Sequence, residues 1–406
     1  MITKLYLDNY KGFNNTVLPI EEVNFLVGDN STGKTTVMNL LYIIDHSSVP
    51  FKIDLNDEVK LGGFNDIVNK YSEDQMYFTF GCENMTGGVA TYHYWKFGNN
   101  KGTARLEEYC TFKHNVTTRF RMKSEVETCV LSEDENIDFR TWLHNVPKRD
   151  FKKVEKDSDE MKSVLFNVLF SSEGNSIQML LENSMLKFSP VRAQAKPYYD
   201  NYDREFKPEG NHVATCLKSW LEKNNSKSKK LIGILNDFGR ESCLFEEIEV
   251  EKLADSDSSP FSIDMKYGKV KVNISNVGYG VSQVMPLVVE MLRSKKTQIA
   301  IPQPEVHLHP KAQCAFGTLV FKNWLNNGNH YLLETHSEYM INRFRYEMNM
   351  SKKKPSGKAQ VLFFERTADG NVVTPMPIGT DGRFACDIPD SYGDFFVDEE
   401  LKMLDI

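Results

Sequence analysis

The chain of 406 residues is 40% hydrophobic and 26% charged, with a formal net charge of −7. That length exceeds one ordinary core and predicts two or three units, and the balance is that of a water-soluble globular protein. No apolar run approaches the roughly eighteen residues of a membrane span, and the negative total argues against adhesion to nucleic acid over the whole surface while leaving room for a local basic stripe. From Met1 the alternation of Ile2, Leu5 and Leu7 reads as a strand, where an export signal needs a basic region followed by an apolar core. Seven cysteines (Cys82, Cys110, Cys129, Cys216, Cys243, Cys314 and Cys386) are scattered and never form a CxxC pair, which fits a reducing, cytoplasmic setting.

A turn at Tyr10-Lys11-Gly12 and a second strand lead to residues 23–36, VNFLVGDNSTGKTT. These read as a buried strand, a loop opened and closed by glycines, and a helix start, the pattern of a Walker A phosphate loop. Gly28 and Gly33 permit torsions that turn successive N–H groups toward an anion, with Asp29, Asn30, Ser31 and Thr32 between them. Lys34 brings a mobile positive charge to the outer phosphates, Thr35 offers a hydroxyl to Mg²⁺, and Thr36 continues the helix. Val37, Leu40, Leu41 and Ile44 share one helical face, so the helix is expected to rest on a sheet and aim its N-terminus at the phosphates.

Residues 60–131 change to short alternating runs such as QMYFTF (75–80) and TYHYW (91–95), punctuated by Gly87-Gly88 and Asn99-Asn100, which predicts antiparallel hairpins. Between about 138 and 240 the period turns helical. Met161, Val164, Leu165, Val168 and Leu169 form one face and Val213, Leu217, Trp220 and Leu221 another, interrupted by a polar, Tyr-rich loop at 196–210. No sustained heptads and no internal repeat occur. Past Ser259 the α/β rhythm resumes, with a hairpin at 261–274, apolar strands at 297–301 and 330–333, and another near 361–364. The expected divisions are residues 1–137 (first half of a nucleotide core with hairpins), 138–258 (an inserted helical lobe) and 259–406 (second half of the core).

Residues 276–286, NVGYGVSQVMP, open a helix, with Ser282 read as N-cap and Pro286 within the first turn. By itself this is an ordinary capped helix. The strand at 297–301 is followed by PQPEVHLHP (302–310) and later by Glu334-Thr335-His336-Ser337. The order of phosphate loop, glycine-serine-glutamine helix start, strand ending in QPE-x-HLHP and strand ending in THS resembles ABC-type AAA ATPases of the RecF and overcoming-lysogenization-defect (OLD) group. Among these it is similar to anti-phage defence ATPases such as that of the Septu system. Two lesser matches accompany it, LGGFNDI (61–67) and Ser189-Pro190-Val191-Arg192 leading into Pro197-Tyr198-Tyr199. The resemblance covers residues 1–70 and 276 to the end.

The resemblance implies an α/β fold of ABC-type ATPase head, with a RecA-like core split in sequence, an antiparallel β subdomain and the inserted lobe. It implies ATP with Mg²⁺ held between two head-to-tail copies in a homodimer or higher homo-oligomer. The 28–36 loop of one copy would hold the phosphates, and Gly280, Ser282 and Gln283 of the other would cap the γ-phosphate. Lys11 matches a position that contacts the nucleotide, and His336 matches the switch histidine that senses the γ-phosphate. His307 and His309 invite a zinc reading, but no further ligands stand at metal spacing and the family has HLHP without metal.

This chain departs from the family at one place. Where relatives end the Walker B strand with an acidic pair, it has Pro302 and Gln303; proline cannot coordinate, and glutamine can orient a water but not take its proton. Glu305, the nearest carboxylate in sequence, is expected to substitute in part as a catalytic residue beside Gln303 and His336 if its loop turns inward. ATP binding with slow or absent hydrolysis is therefore expected. The function expected is a regulatory ATPase that gates or scaffolds a separately encoded effector, a nuclease, in phage defence. The seventy residues after His336 are expected to be too few for a nuclease domain of their own. A RecF-like DNA-binding clamp in repair or recombination is the rival, with basic segments at 148–153, 227–230 and 352–354 that read equally as solvated faces. A transporter-type ATPase lacks a membrane-coupling segment.

Overall fold

A computed structural model describes residues 1–47, 53–56, 59–122, 126–133, 137–146, 152–154, 185–200, 203–223, 225–254, 256 and 259–396; of 126–133 and 152–154 the backbone alone is described. The helical stripe expected at Met161–Leu169, most of the basic segment at 148–153 and residues 397–400 lie outside the described residues. The chain forms two compact units, the first of Met1–Glu21, Asp29–Ser184 and Phe364–Pro375, the second of Glu22–Gly28, Met185–Phe363 and Met376–Ile406.

Strands β1 (Ile2–Asp8), β2 (Thr16–Pro19) and β3 (Val23–Gly28) open the chain, and β3 runs into the glycine loop and helix α1 (Lys34–His46). In the first unit, a short helix α2 (Phe64–Ile67) precedes the meander β4 (Tyr77–Thr86), β5 (Val89–Asn100), β6 (Thr103–Lys113), β7 (Val116–Met122) and β8 (Val126–Glu133). Helix α3 (Phe139–Asn145) and β9 (Lys152–Val154) follow. These strands form one antiparallel sheet of order β2-β1-β4-β5-β6-β7-β8-β9. The hairpin expected around Gly87-Gly88 is present: both residues take positive φ (58° and 83°), as a two-residue turn matched to strand twist requires. One face of the sheet is cemented by aromatic rings, with Tyr92 stacked on Phe112 at 4.8 Å and α3 placing Phe139 and Trp142 against them. Asp138 caps α3, and the Trp142 indole donates to the Thr117 hydroxyl at 2.8 Å, so this buried polar atom is satisfied.

The second unit contains β10 (Leu186–Lys187), α4 (Val213–Lys223), α5 (Ser226–Ser242) and the antiparallel sheet of β11 (Glu247–Lys252), β12 (Phe261–Tyr267) and β13 (Val270–Asn273). It continues with α6 (Tyr279–Arg293), β14 (Gln298–Pro302), α7 (Pro310–Asn327), β15 (His330–Glu334), α8 (Glu338–Met350) and the parts of β16 (Ala359–Thr367) and β17 (Gly370–Ile378) outside residues 364–375, which belong to the first unit. A six-stranded sheet of order β10-β14-β15-β3-β16-β17 is its centre, and β10, β14, β15 and β3 run parallel. The mixed α/β class and the core split in sequence are thus present. β3, from the start of the chain, is inserted beside β15 and adjacent to β16, and all six of its residues are buried. Such a strand, covered on both faces, reads as a continuous apolar run. Helix α6 is buried along residues 280–292, the signature of a helix enclosed on all sides.

One sequence expectation is corrected here. Helix α6 begins at Tyr279 with Gly278 as N-cap, four residues before the expected cap at Ser282. The Ser282 hydroxyl donates to the Tyr279 carbonyl at 2.9 Å, a back-bond inside the helix in place of a cap. Pro286 consequently sits in the helix interior. Val281, buried ahead of the serine, is placed on the packed face by a helix that starts at Tyr279.

Helices α6 and α7 are joined to the strand edge by a buried amide knot. Asn329, fully buried, donates to the Met291 carbonyl at 3.2 Å, the Ser294 carbonyl at 3.0 Å and Asn323 Oδ1 at 2.7 Å, and accepts from the Thr297 amide at 3.1 Å. Asn329→Ala orphans several of these groups at about 1–3 kcal/mol each, so the unfolding free energy is expected to fall by roughly 2–4 kcal/mol in denaturant titration; an unchanged midpoint contradicts the role.

Candidate nucleotide site

Residues 28–36 have the torsions that a phosphate loop needs. Gly28 (φ 138°), Ser31 (φ 63°) and Gly33 (φ 100°) all leave the ordinary L-residue regions. At Gly33 a Cβ would meet the Phe13 ring at 2.5 Å, so torsion and space both require glycine. Gly33 is the N-cap of α1; no side chain caps it and the first turn carries no acid, which leaves the positive helix end suited to an anion. The Lys34 ammonium donates to the Asp29 carbonyl at 2.6 Å and the Thr32 hydroxyl to the same carbonyl at 2.8 Å, while Thr35 is exposed at the first turn. Arg366 donates to the Ser31 carbonyl at 2.6 Å and so braces the left-handed turn.

Lys11, also in the first unit, adopts φ 54°. Its amide donates to the Ile67 carbonyl at 2.6 Å and its ammonium to the Leu61 carbonyl at 3.3 Å, so the LGGFNDI segment and the Lys11 turn are one local structure. Asp66 closes that segment by accepting from the Gly63 amide at 2.9 Å. Burial pulls the Lys11 ammonium below its ordinary pKa, with Asp66 acting against it.

In the second unit the turns after β14 and β15 meet. The Gln303 amide donates to the Glu334 carbonyl at 2.8 Å, and Gln303 itself takes φ 45°. Glu305 Oε1 accepts from the His336 amide at 2.7 Å and Oε2 from the Thr335 hydroxyl at 2.8 Å, so both carboxylate oxygens are engaged by the Thr-His-Ser turn. Burial raises the Glu305 pKa, and these hydrogen bonds oppose the rise. His336 is half-buried, its ring 6.0 Å from that of Phe395. Ser337 caps α8 by accepting from the Met340 amide at 3.1 Å.

The helix start at α6 belongs to the same cluster. A Cβ at Gly280 would meet the His307 carbonyl oxygen at 2.7 Å, and the Tyr279 and His307 rings lie 5.8 Å apart. The glycine therefore lets α6 close on the HLHP turn. Arg192, 3% exposed, donates to the Pro302 carbonyl at 2.9 Å, the Gln303 carbonyl at 3.4 Å and the Gln283 carbonyl at 3.5 Å, and Gln283 Nε2 returns a bond to the Arg192 carbonyl at 3.4 Å. Burial pulls its guanidinium down to about 10, with Glu305 acting the other way.

The AAA ATPase domain family matches residues 1–341 of the chain. The protein belongs to that family. Among solved structures, this AAA ATPase domain protein is similar to an SMC head bound to the C-terminal winged-helix domain of ScpA, with 12% identity, 93% of this chain and 98% of that one covered, and a TM-score of 0.45. It is also similar to the SMC head domain from Thermotoga maritima (13% identity, 92% and 98% covered, TM-score 0.38). A third is the Smc head with an extended coiled coil bound to the C-terminal domain of ScpA derived from Pyrococcus furiosus (9% identity, 100% and 98% covered, TM-score 0.39). No curated protein sequence matches this chain. No helix among the described residues is long and apolar enough to cross a membrane.

The structure therefore brings Gly280, Gln283, Gln303, Glu305 and His336 into one cluster of the second unit, while Lys11 and Asp29–Thr36 lie in the first. Three residues that carry this geometry have no chemical signal of their own in the sequence. Arg192 lies in a lesser family match that assigns it no chemistry, Arg366 has no local signal, and Glu334 gains meaning only from its place opposite Pro302 in the parallel pair, where it is buried.

The raised pKa of Glu305 carries a pH signature. Its contribution to stability is complete below the ordinary value of 4.5 and is lost as pH rises through the raised folded-state value. Glu305→Gln is expected to flatten that weakly acid fall in unfolding free energy, while Glu305→Ala removes both acceptors and costs roughly 1–3 kcal/mol per orphaned donor. Denaturant titrations over a pH series decide; a Glu305→Gln slope equal to the parent's contradicts the assignment.

Proposed function

We propose that this protein binds ATP with Mg²⁺ in the phosphate loop and uses it to join two copies head to tail. Gly280, Ser282 and Gln283 of one copy complete the γ-phosphate site of the other. The observation that carries the reading is the loop from Gly28 to Lys34, whose glycine torsions, uncapped helix end and buried lysine suit a polyphosphate. Thr35 is the residue placed to hold Mg²⁺, which when bound supplies charge neutralisation at the outer phosphates. On arrival of the phosphates, Lys34 exchanges the Asp29 carbonyl for them.

Hydrolysis is slow in this reading. Pro302 and Gln303 stand where the family has its acidic pair, and both oxygens of Glu305 are already held by Thr335 and His336. Gln303 orients a water, and His336 reports the γ-phosphate to the turn that Glu305 anchors. The ATP-bound pair then acts as a two-state element whose closure restrains or releases a separately encoded effector, a nuclease of an anti-phage system, in the cytoplasm. The resemblance to defence ATPases supports that assignment of the partner.

Lys34→Ala is expected to abolish ATP binding in calorimetry, and the parent to double in mass with ATP; unchanged affinity refutes the loop. The parent is expected to turn over well below the median enzyme rate of about 10 s⁻¹. Gln303→Glu restores a proton acceptor and is expected to raise turnover by about a hundredfold; a variant as slow as the parent shows that this position is not where the water is activated.

A further inference from the structure

The second unit has a cavity of about 220 Å³ that the proposed ATP chemistry does not use, built from the end of α4, the start of α5 and the loop before α4. At about 30 Å³ per water it holds roughly seven waters, room for a phosphate ester with a flat ring. Four cations line it, Arg204, Lys223, Lys227 and Arg293, and no carboxylate does. In a chain of net charge −7 this is not the average surface. Its wall includes Trp220, half-buried, and Asn225, which caps α5 by accepting from the Ser228 amide at 2.8 Å.

The neighbouring carboxylates Glu222, Glu205 and Asp203 are committed elsewhere. Glu222 is bound by Lys252 at 3.0 Å and Lys218 at 3.8 Å, and Glu205 and Asp203 by Lys207 at 3.8 Å and 3.5 Å. Glu290, which holds Arg293 at 3.2 Å, is itself buried against His212 at 3.0 Å. Arg204, Lys223 and Lys227 have no ion pair among the described residues. Three unneutralised cations around a tryptophan wall form an electrostatic trap for an anion that also carries an aromatic face: the charges attract the phosphate and the indole takes the ring.

We infer that this cavity is a second nucleotide site, taking a nucleoside monophosphate with its phosphate among Arg204, Lys223 and Lys227 and its base on Trp220. The nucleotide comes either free or as the 5′-phosphorylated end of a strand, since the two present the same group. Binding needs no metal and is independent of the phosphate loop.

The test is calorimetric titration of the Lys34→Ala protein, so that the phosphate loop does not contribute, with AMP, inorganic phosphate and adenosine. AMP is expected to bind, at least about tenfold tighter than phosphate or adenosine, with an affinity that falls as salt rises. The double variant Lys223→Glu/Lys227→Glu, and separately Arg204→Glu, are expected to weaken AMP at least about tenfold with melting temperature unchanged. A 5′-phosphorylated oligonucleotide that displaces AMP, where its 5′-hydroxyl counterpart does not, identifies a strand end as the source; failure of both to displace AMP identifies the free nucleotide. Absence of AMP binding, or AMP affinity unchanged in both charge-reversed proteins, overturns the inference.

Discussion

A single carboxylate sets the constraint on which the second unit's cluster depends. Glu305 accepts from the Thr335 hydroxyl and the His336 amide, and in doing so locks the turn after β14 to the turn after β15. Two parallel neighbours otherwise end independently, each leaving loop amides without partners. Burial of this carboxyl is costly, which is why its pKa rises, and the two donors offset that cost. The backbone of His336 is therefore held by Glu305. A glutamate committed in this way is poorly available as a proton acceptor for water.

Arg192 supplies the complementary constraint. A guanidinium 3% exposed, with the carbonyls of Gln283, Pro302 and Gln303 as its acceptors, ties the beginning of α6 to the end of β14. Backbone carbonyls carry partial negative charge, so three of them stabilise the cation without a full counter-ion, and Glu305 adds to the favourable field. The beginning of α6 and the end of β14 are thus tied to each other through one buried side chain, with Gln283 returning a bond to the Arg192 carbonyl.

Local torsional demands made part of this legible from residues alone. Gly28 and Gly33 announce themselves because side-chain-bearing residues rarely adopt φ 138° and 100°, and at Gly33 the Phe13 ring adds a steric demand; the Gly87-Gly88 hairpin follows from the same rule of torsion. β3 and the 330–333 strand are readable from short, largely apolar runs, Phe25-Leu26-Val27 and Tyr331-Leu332-Leu333. Ser282 misled because cap preference is a local average, and the buried face of α6 outweighed it. Arg192, Arg366 and Glu334 were illegible for a different reason. Arg192 meets Gln303 across 111 positions and Arg366 meets Ser31 across 335, and no periodicity or spacing rule connects residues so far apart in the chain. Glu334 reads as the end of an ordinary strand until the register places it opposite Pro302.

The loop that opens α1 is held by its own hydrogen bonds. Lys34 and Thr32 both donate to the Asp29 carbonyl, and Arg366 holds the Ser31 carbonyl, so the left-handed turn is stabilised from within. Ordering such a loop on binding would consume free energy in lost backbone freedom, about 1–2 kcal/mol per residue; here that cost is met during folding. In the proposed reading the phosphates take over the bond that Lys34 donates to the Asp29 carbonyl, a net change of about 1 kcal/mol. In the proposed reading the greater part of the interaction energy with a polyphosphate remains for the second event, the closure of another copy's α6 over the γ-phosphate. On that reading a site rigid where it grips and short of a proton acceptor where it cleaves would convert ATP affinity into association and only slowly into hydrolysis.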